Sequence, residues 1–126
     1  MPDISISGNK MVKTIQKEFT EKFPYIRINI MPFAEKKKTT QTGYPGDTRI
    51  ADVRKKGTSG DISISGNKLV KNLESEFETV YGLYAQVCFT DKEGGRYYTT
   101  GSYDSMTLSA LNKDGEKQGW KKGITC

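Results

Sequence analysis

A direct internal repeat constrains this sequence more than any other feature. Residues 3–19 read DISISGNKMVKTIQKEF and residues 61–77 read DISISGNKLVKNLESEF, with 12 of 17 positions identical at an offset of 58 residues. The similarity continues more weakly afterwards, where one extra residue changes the offset to 59. A period of this length indicates a duplicated supersecondary unit. We therefore divide the chain into unit 1 (residues 1–59), unit 2 (residues 60–115) and a short basic tail (residues 116–126).

Each unit begins with the pattern of a strand followed by a helix. Ile4 and Ile6 alternate with serines, which is the period of a half-buried strand. Apolar residues then follow at spacings of three, four and four, which places them on one face of a helix. In unit 1 they are Val12, Ile15, Phe19 and Phe23, and in unit 2 they are Val70, Leu73, Phe77 and Tyr81.

Two further strands are predicted after each helix. Alternating segments begin at Ile26 in unit 1 and at Ala85 in unit 2. Residues 91–95 are typical of a hairpin turn into another strand over residues 96–100, and a short helical turn near residues 105–111 would close unit 2. Residues 35–45 of unit 1 predict a weaker strand or a loop in place of that hairpin.

The predicted fold class is α+β, with two tandem β-α-β-β units packed as one pseudo-symmetric domain. A unit of 58 residues can fold alone only marginally, and sharing one core would remedy this. We expect helices on one face of a mixed or antiparallel sheet. Two separate small beads, joined by residues 55–60, are the alternative. Twenty of the 25 Ile, Leu, Val and Phe residues fall on the predicted inward faces: Ile4, Ile6, Val12, Ile15, Phe19, Phe23, Ile26, Ile28, Ile30, Ile50, Val53, Ile62, Ile64, Val70, Leu73, Phe77, Val87, Phe89, Leu108 and Leu111.

Composition argues against the commonest catalytic and metal chemistries. The chain has no histidine, which excludes Ser-His-Asp and Cys-His nucleophile systems and histidine metal sites. We therefore expect no enzyme activity, no catalytic residues, no metal and no cofactor. No segment approaches the ~20 apolar residues of a membrane span, and the N-terminus lacks a secretory signal pattern, so we expect a cytoplasmic protein without a membrane partner.

The two cysteines are distant in sequence. Cys88 lies between two predicted core residues of a strand, so we expect it to face away from the main core. Cys126 lies in the tail. A disulfide between them is one alternative, but in a cytosolic protein we expect free thiols.

The SGNK segment that follows the first strand of each unit is a candidate anion-binding loop. Glycine and asparagine lead into a helix N-terminus, where backbone N–H groups, the helix dipole and a lysine can hold phosphate or carboxylate. A turn that needs glycine and asparagine for backbone reasons is the interpretation that we favour. The candidate residues are Gly8, Asn9, Lys10, Gly66, Asn67 and Lys68.

Charge is distributed unequally between the two units. Unit 1 has 12 Lys/Arg and 6 Asp/Glu, whereas unit 2 has 5 and 8. Basic clusters can bind nucleic acid by counterion release, with aromatic residues for stacking, which are here Tyr44, Tyr97, Tyr98 and Trp120. Opposite charges on the units could equally steer one molecule toward another. The basic clusters consist of Lys36, Lys37, Lys38, Arg54, Lys55 and Lys56.

Three carboxylates occur at alternate positions of the second helix. Glu74 and Glu78 share a helix face, while Glu76 points elsewhere. We expect an exposed acidic surface rather than an acid/base pair.

The pattern ISxSGNKxV…F…F, followed by a strand and by D-x-x-T-L at residues 104–108, resembles bacterial tandem-repeat proteins of uncharacterised function. Helix, strand and T-L turn are also similar to the second half of a ubiquitin-like β-grasp unit, so the separate beads of the alternative fold would be β-grasp-like. A β-grasp begins with a hairpin, whereas one strand precedes each helix here. The resemblance implies an interaction module and carries over no functional residue.

Together these patterns predict a non-enzymatic protein–protein interaction or self-assembly module built from a duplicated α+β unit. Its partner would be another protein or a second copy of the chain. The alternative is a nucleic-acid or phosphate-binding protein that uses the basic first unit.

Overall fold

Helices and strands both occur in each half of the chain, and each half begins with a short strand followed by a helix. The structure is a computed structural model, and it describes residues 4–6, 9–32, 44–53, 62–99 and 101–122. The strands are β1 (Ile4–Ile6), β2 (Arg27–Pro32), β3 (Ile62–Ile64), β4 (Leu83–Thr90) and β5 (Arg96–Tyr98). The helices are α1 (Val12–Lys22), α2 (Ile50–Val53), α3 (Val70–Glu76) and α4 (Leu108–Gln118), with a π-helical segment at Phe77–Tyr81 and a 3₁₀ helix at Gly101–Ser105. The predicted α+β class is confirmed.

The two long helical segments bury the faces that their apolar spacing predicts. The residues at the three–four–four spacing, Val12 to Phe23 and Val70 to Tyr81, are all buried. In unit 2 the helix continues past α3 as the π-helical segment and ends at Gly82, whose φ of 67° is the left-handed conformation that glycine tolerates best. Gly82 therefore caps the end of this helical segment.

The strands form two antiparallel sheets, whereas the sequence suggested one sheet. β1 pairs with β3, and Ser5 lies opposite Ser63. β2 pairs with β4, where Ile28 lies opposite Val87, and β4 also pairs with β5. Both the β1–β3 and the β2–β4 pairings join a strand of unit 1 to a strand of unit 2.

Each unit also closes on itself through a matched pair of contacts. Isolated bridges join Met11 to Arg49 and Leu69 to Thr107, and these two bridges are related by the 58-residue offset. At the same offset, the N–H of Val12 donates to Thr48 O (2.8 Å) and the N–H of Val70 donates to Met106 O (3.0 Å). These contacts place the segment before α2 or α4 against the start of the preceding long helix.

Apolar residues of both units contribute to one hydrophobic cluster. Of the twenty residues predicted to face inward, nineteen are buried in it, and Val53 is partly buried against it. The cluster also contains Tyr81, which belongs to the predicted helix face, and Ala85, which begins the predicted strand, together with Leu83 and Trp120, which the sequence did not place in the core.

The C-terminal helix is longer than the turn predicted near residues 105–111. α4 runs to Gln118 and therefore crosses the boundary placed at residue 115. Leu108, Leu111 and Gly115 are buried at helical spacing, and the Thr107 side chain caps the helix by accepting a bond from the Ala110 N–H at 3.1 Å. Because Gly115 has no apolar side chain, the sequence shows no helical spacing beyond Leu111. The predicted helical turn therefore ended too early.

Most of the strand or loop predicted at residues 35–45 lies outside the described residues. Within the described part of the chain, every helix is too short or too polar to cross a membrane.

Candidate functional site

The lysines of both SGNK loops are paired with carboxylates. Lys10 Nζ lies 2.6 Å from Glu18 Oε1. At the 58-residue offset, Lys68 pairs with Glu76, and it also donates to the Ser63 carbonyl oxygen. An external anion would have to compete with a carboxylate in the same chain at either lysine.

The backbone amides that could hold an anion also have partners within the chain. At α1, the N–H groups of Val12 and Lys13 donate to Thr48 O and Gly46 O, both at 2.8 Å. At α3, the N–H of Val70 donates to Met106 O. These bonds support the interpretation that the loops are turns which fasten each unit together.

Gly66 occupies a position where the loop and α4 approach closely. The Ser109 N–H donates to Gly66 O at 3.0 Å. A Cβ at residue 66 would lie less than 3.0 Å from Ser109 Oγ. The glycine therefore permits a backbone contact that a larger residue would disturb.

Replacing Gly66 by alanine should lower the free energy of unfolding by about 1 kcal/mol, because the added methyl group forces Ser109 Oγ, at the end of a rotatable side chain, to move away. Urea titration of Gly66→Ala, Ser109→Ala and the double variant measures this effect. In the double variant the hydroxyl is absent, so most of the loss should be recovered. An equal loss from Gly66→Ala in both backgrounds would refute the proposed contact.

The antiparallel pairing of β1 with β3 separates the two loops. Because the strands run in opposite directions, the loops follow them at opposite ends of this sheet. Asn9 and Asn67 are exposed, and Arg49 Nη1 donates to Asn9 O at 2.8 Å. The other candidates for anion or nucleic-acid binding lie outside the described residues; these are Gly8, Lys36, Lys37, Lys38, Arg54, Lys55 and Lys56.

The acidic residues of the second helix are half-buried, not fully exposed as predicted. Glu74 accepts a bond from the Val87 N–H at 3.3 Å, and Glu76 pairs with Lys68. Glu74 and Glu78 line a cleft of about 450 Å³ together with Asp104. Across the described residues, no group of His, Cys, Asp and Glu side chains is arranged to hold a metal ion.

Arg27 is a buried cation that the sequence pattern did not reveal. It is 1 % exposed, and its guanidinium donates to Pro24 O and Ile26 O at 3.0 Å and to Lys121 O at 2.7 Å. Burial lowers the pKa of Arg27 from its ordinary value. Alternation along β2 assigned this residue to the outward face, but that face is covered too. Arg27 thus fastens the segment that follows α4 to the sheet.

Cys88 lies opposite Arg27 in the β2–β4 pairing and is disulfide-bonded. The free thiol expected from the sequence is therefore wrong for this residue. As predicted, Cys88 lies outside the hydrophobic cluster, although it is buried at 2 % exposure. Cys126 is the one other cysteine in the sequence, and it lies outside the described residues.

An aromatic cluster connects β4, β5 and the segment after α4. Trp120 stacks on Phe89, with ring centroids 3.8 Å apart and planes inclined by 9°. On β5, the ring of Tyr97 lies 5.6 Å from that of Phe89. Among the described residues, Tyr97 is the one large hydrophobic residue that is exposed, at 53 %, whereas Trp120 is buried. Tyr44 and Tyr98 are half-buried, so Tyr97 is the predicted stacking residue that solvent reaches most freely.

Comparison with known proteins supplies no relative for this chain. No protein-family model matches the sequence, and no curated protein and no solved structure is significantly similar to it. The resemblance to tandem-repeat proteins stays a prediction, and function has to be argued from the geometry above.

Proposed function

We propose that this chain is a non-enzymatic protein–protein interaction or self-assembly module whose working element is the α+β unit. The observation that carries the proposal is the register in which strands of unit 1 pair with strands of unit 2. In that register, each pairing contains one residue that lies opposite the residue corresponding to it in the other unit, Ser5 opposite Ser63 and Ile28 opposite Val87.

The β1–β3 pairing illustrates this correspondence. Ser63 is Ser5 displaced by 58 residues, and the two lie opposite each other. Ile4 lies opposite Ile64 and Ile6 lies opposite Ile62, so the contacts are reciprocal. Reciprocal contacts about a central pair are the defining feature of an interface between two identical subunits related by a two-fold axis.

The β2–β4 pairing has the same property. Val87 corresponds to Ile28 at the 59-residue offset that follows the first long helix, and these two residues are opposite partners. Because a shift of one residue would turn every side chain to the other face, such a register is specific where a sheet is buried. Two independent pairings with reciprocal registers support a unit whose inner surface fits a second unit of the same kind.

Light scattering coupled to size exclusion, from micromolar to millimolar concentration, tests the proposal on the full chain. Self-association should raise the mean mass with concentration, and refolding at high concentration should increase the dimer fraction. A monomer under all of these conditions would contradict self-assembly.

The competing function, nucleic-acid or phosphate binding through unit 1, draws support from exposed cations on its described surface. Lys13 and Lys17 on α1 are exposed, as is Arg49. Binding of random-sequence RNA and DNA at increasing salt decides between the two functions, since phosphate contacts weaken steeply as salt rises. A lack of binding at low salt would remove this alternative.

A further inference from the structure

We propose that two copies of this chain form a dimer by exchanging units, so that unit 1 of each molecule pairs with unit 2 of the other. This inference rests on the proposed function and specifies the partner, a second copy of the chain, and the surface, which is the β1–β3 and β2–β4 interface. In the exchanged dimer the same residues meet in the same registers, but they belong to different molecules.

The contacts inside each unit would survive the exchange unchanged. The Met11–Arg49 bridge belongs entirely to unit 1, and the Leu69–Thr107 bridge belongs entirely to unit 2. The ion pairs Lys10–Glu18 and Lys68–Glu76 are likewise internal to their units. Each unit therefore keeps its own fastening contacts when it changes partner.

The contacts between the units would all be made again across the dimer. Besides the two strand pairings, Tyr81 Oη donates to Ile6 O at 3.0 Å, and the Tyr25 N–H donates to Asn112 Oδ1 at 2.9 Å. Since the same bonds and the same apolar cluster form in either arrangement, monomer and exchanged dimer differ chiefly in the connecting segment and in the entropy of association.

Exchange requires only that the chain between the units connects them in either arrangement. Unit 1 is last described at Val53 and unit 2 begins its first strand at Ile62, so residues 54–61 join them. Because each contact between the units can be made within one molecule or across two, the choice between monomer and dimer depends on concentration. High protein concentration would then favour the dimer by mass action.

Charge substitutions at the centre of β1–β3 test the exchange without disturbing the cysteines. Both Ser5 and Ser63 are exposed, so charged side chains can be placed there. One chain carries Ser5→Lys and Ser63→Lys, and the other carries Ser5→Asp and Ser63→Asp. In a closed monomer, and in an exchanged dimer of two identical variants (a like dimer), equal charges lie opposite each other. An exchanged dimer of one Lys variant and one Asp variant (a mixed dimer) contains two Lys–Asp pairs.

The two chains are unfolded together, refolded at high concentration and analysed by native mass spectrometry. Mixed dimers should exceed the sum of the two like dimers roughly five-fold, because opposite charges across a strand pair stabilise it and like charges destabilise it. The matched control places two Lys or two Asp at Ser75 and Thr79, exposed positions that belong to neither pairing. It should give a random mixture. The single chain Ser5→Lys/Ser63→Asp reports that charges at these sites are compatible with folding.

A random mixture from the Ser5/Ser63 variants would overturn the exchange while leaving self-assembly in place. In that case, association would use another surface, such as the exposed Tyr97 edge. If neither these variants nor the unmodified chain forms dimers under any condition, both the exchange and the proposed function fail.

Discussion

Replacing Trp120 by alanine is expected to lower the free energy of unfolding by about 3–5 kcal/mol, the usual cost of removing a large buried aromatic side chain. Trp120 is 5 % exposed, although it lies in a segment that the sequence assigned to a basic tail. It stacks on Phe89 and packs edge-on against Tyr103 at a centroid distance of 5.9 Å. It also covers Gly115, where a Cβ would overlap the indole ring. Chemical denaturation followed by circular dichroism measures the loss.

Two control variants define what this loss means. Trp120→Phe keeps an aromatic ring against Phe89 and should retain a substantial part of the stability. Gln118→Ala changes an exposed residue at the end of α4, two positions before Trp120, and should alter the free energy of unfolding by about 0.5 kcal/mol or less. If Trp120→Ala is as stable as the unmodified protein, the segment after α4 does not belong to the core.

Reduction of the disulfide at Cys88 is the second change for which we expect a large effect. Cys126 is the only other cysteine in the sequence, so a disulfide within one chain closes a loop of nearly forty residues, and its loss should cost roughly 4 kcal/mol through the entropy of the unfolded chain. Urea titrations with and without a reductant measure the difference.

The Cys88→Ser/Cys126→Ser variant serves as the control for reduction. Its stability should be low in both conditions and should not respond to the reductant. Cys126→Ser alone should show a similar loss and release one titratable thiol under denaturing conditions. The disulfide at Cys88 would be contradicted if protein prepared without reductant contains two titratable thiols. It would also be contradicted if reduction leaves the stability unchanged.

The sequence predicts the elements of this fold well because their apolar residues have regular spacings. Val12, Ile15 and Phe19 repeat with the helical period, and Ile4 and Ile6 repeat with the strand period. Each set is buried as predicted. Spacing identifies which face of an element is buried, but it says nothing about which strand lies beside which. The reciprocal β1–β3 and β2–β4 registers therefore emerge only from the structure.

Residues on the second face of the larger sheet escaped prediction for a related reason. Alternation along β2 and β4 places the side chains of Arg27 and Cys88 on the sheet face that points away from the core. In a two-layer structure, that face would be exposed to solvent. Both are buried, because this face is covered as well. The charged residue and the cysteine on this face do not indicate that it is buried. No sequence pattern identifies a buried arginine whose hydrogen-bond partners are backbone oxygens.

The SGNK loops show how identity between two copies can arise from local geometry. At the sequence level, their identity was compatible with an anion site or with a turn. The contacts of Lys10, Lys68 and Gly66 are with Glu18, Glu76 and the start of α4, and all serve to fasten the units.

If the two units share one hydrophobic core, they should unfold together, and one substitution in unit 1 tests this. Trp120 is the only tryptophan in the sequence and reports on the side of unit 2, whereas Ile15 is a fully buried residue of α1 in unit 1. Ile15→Val should cost about 1 kcal/mol. With a shared core, the urea midpoint followed by Trp120 fluorescence should fall by about 0.5 M. An unchanged midpoint at Trp120, with a lowered midpoint for the helix signal of the whole chain, would show two independently folding units and contradict a shared core.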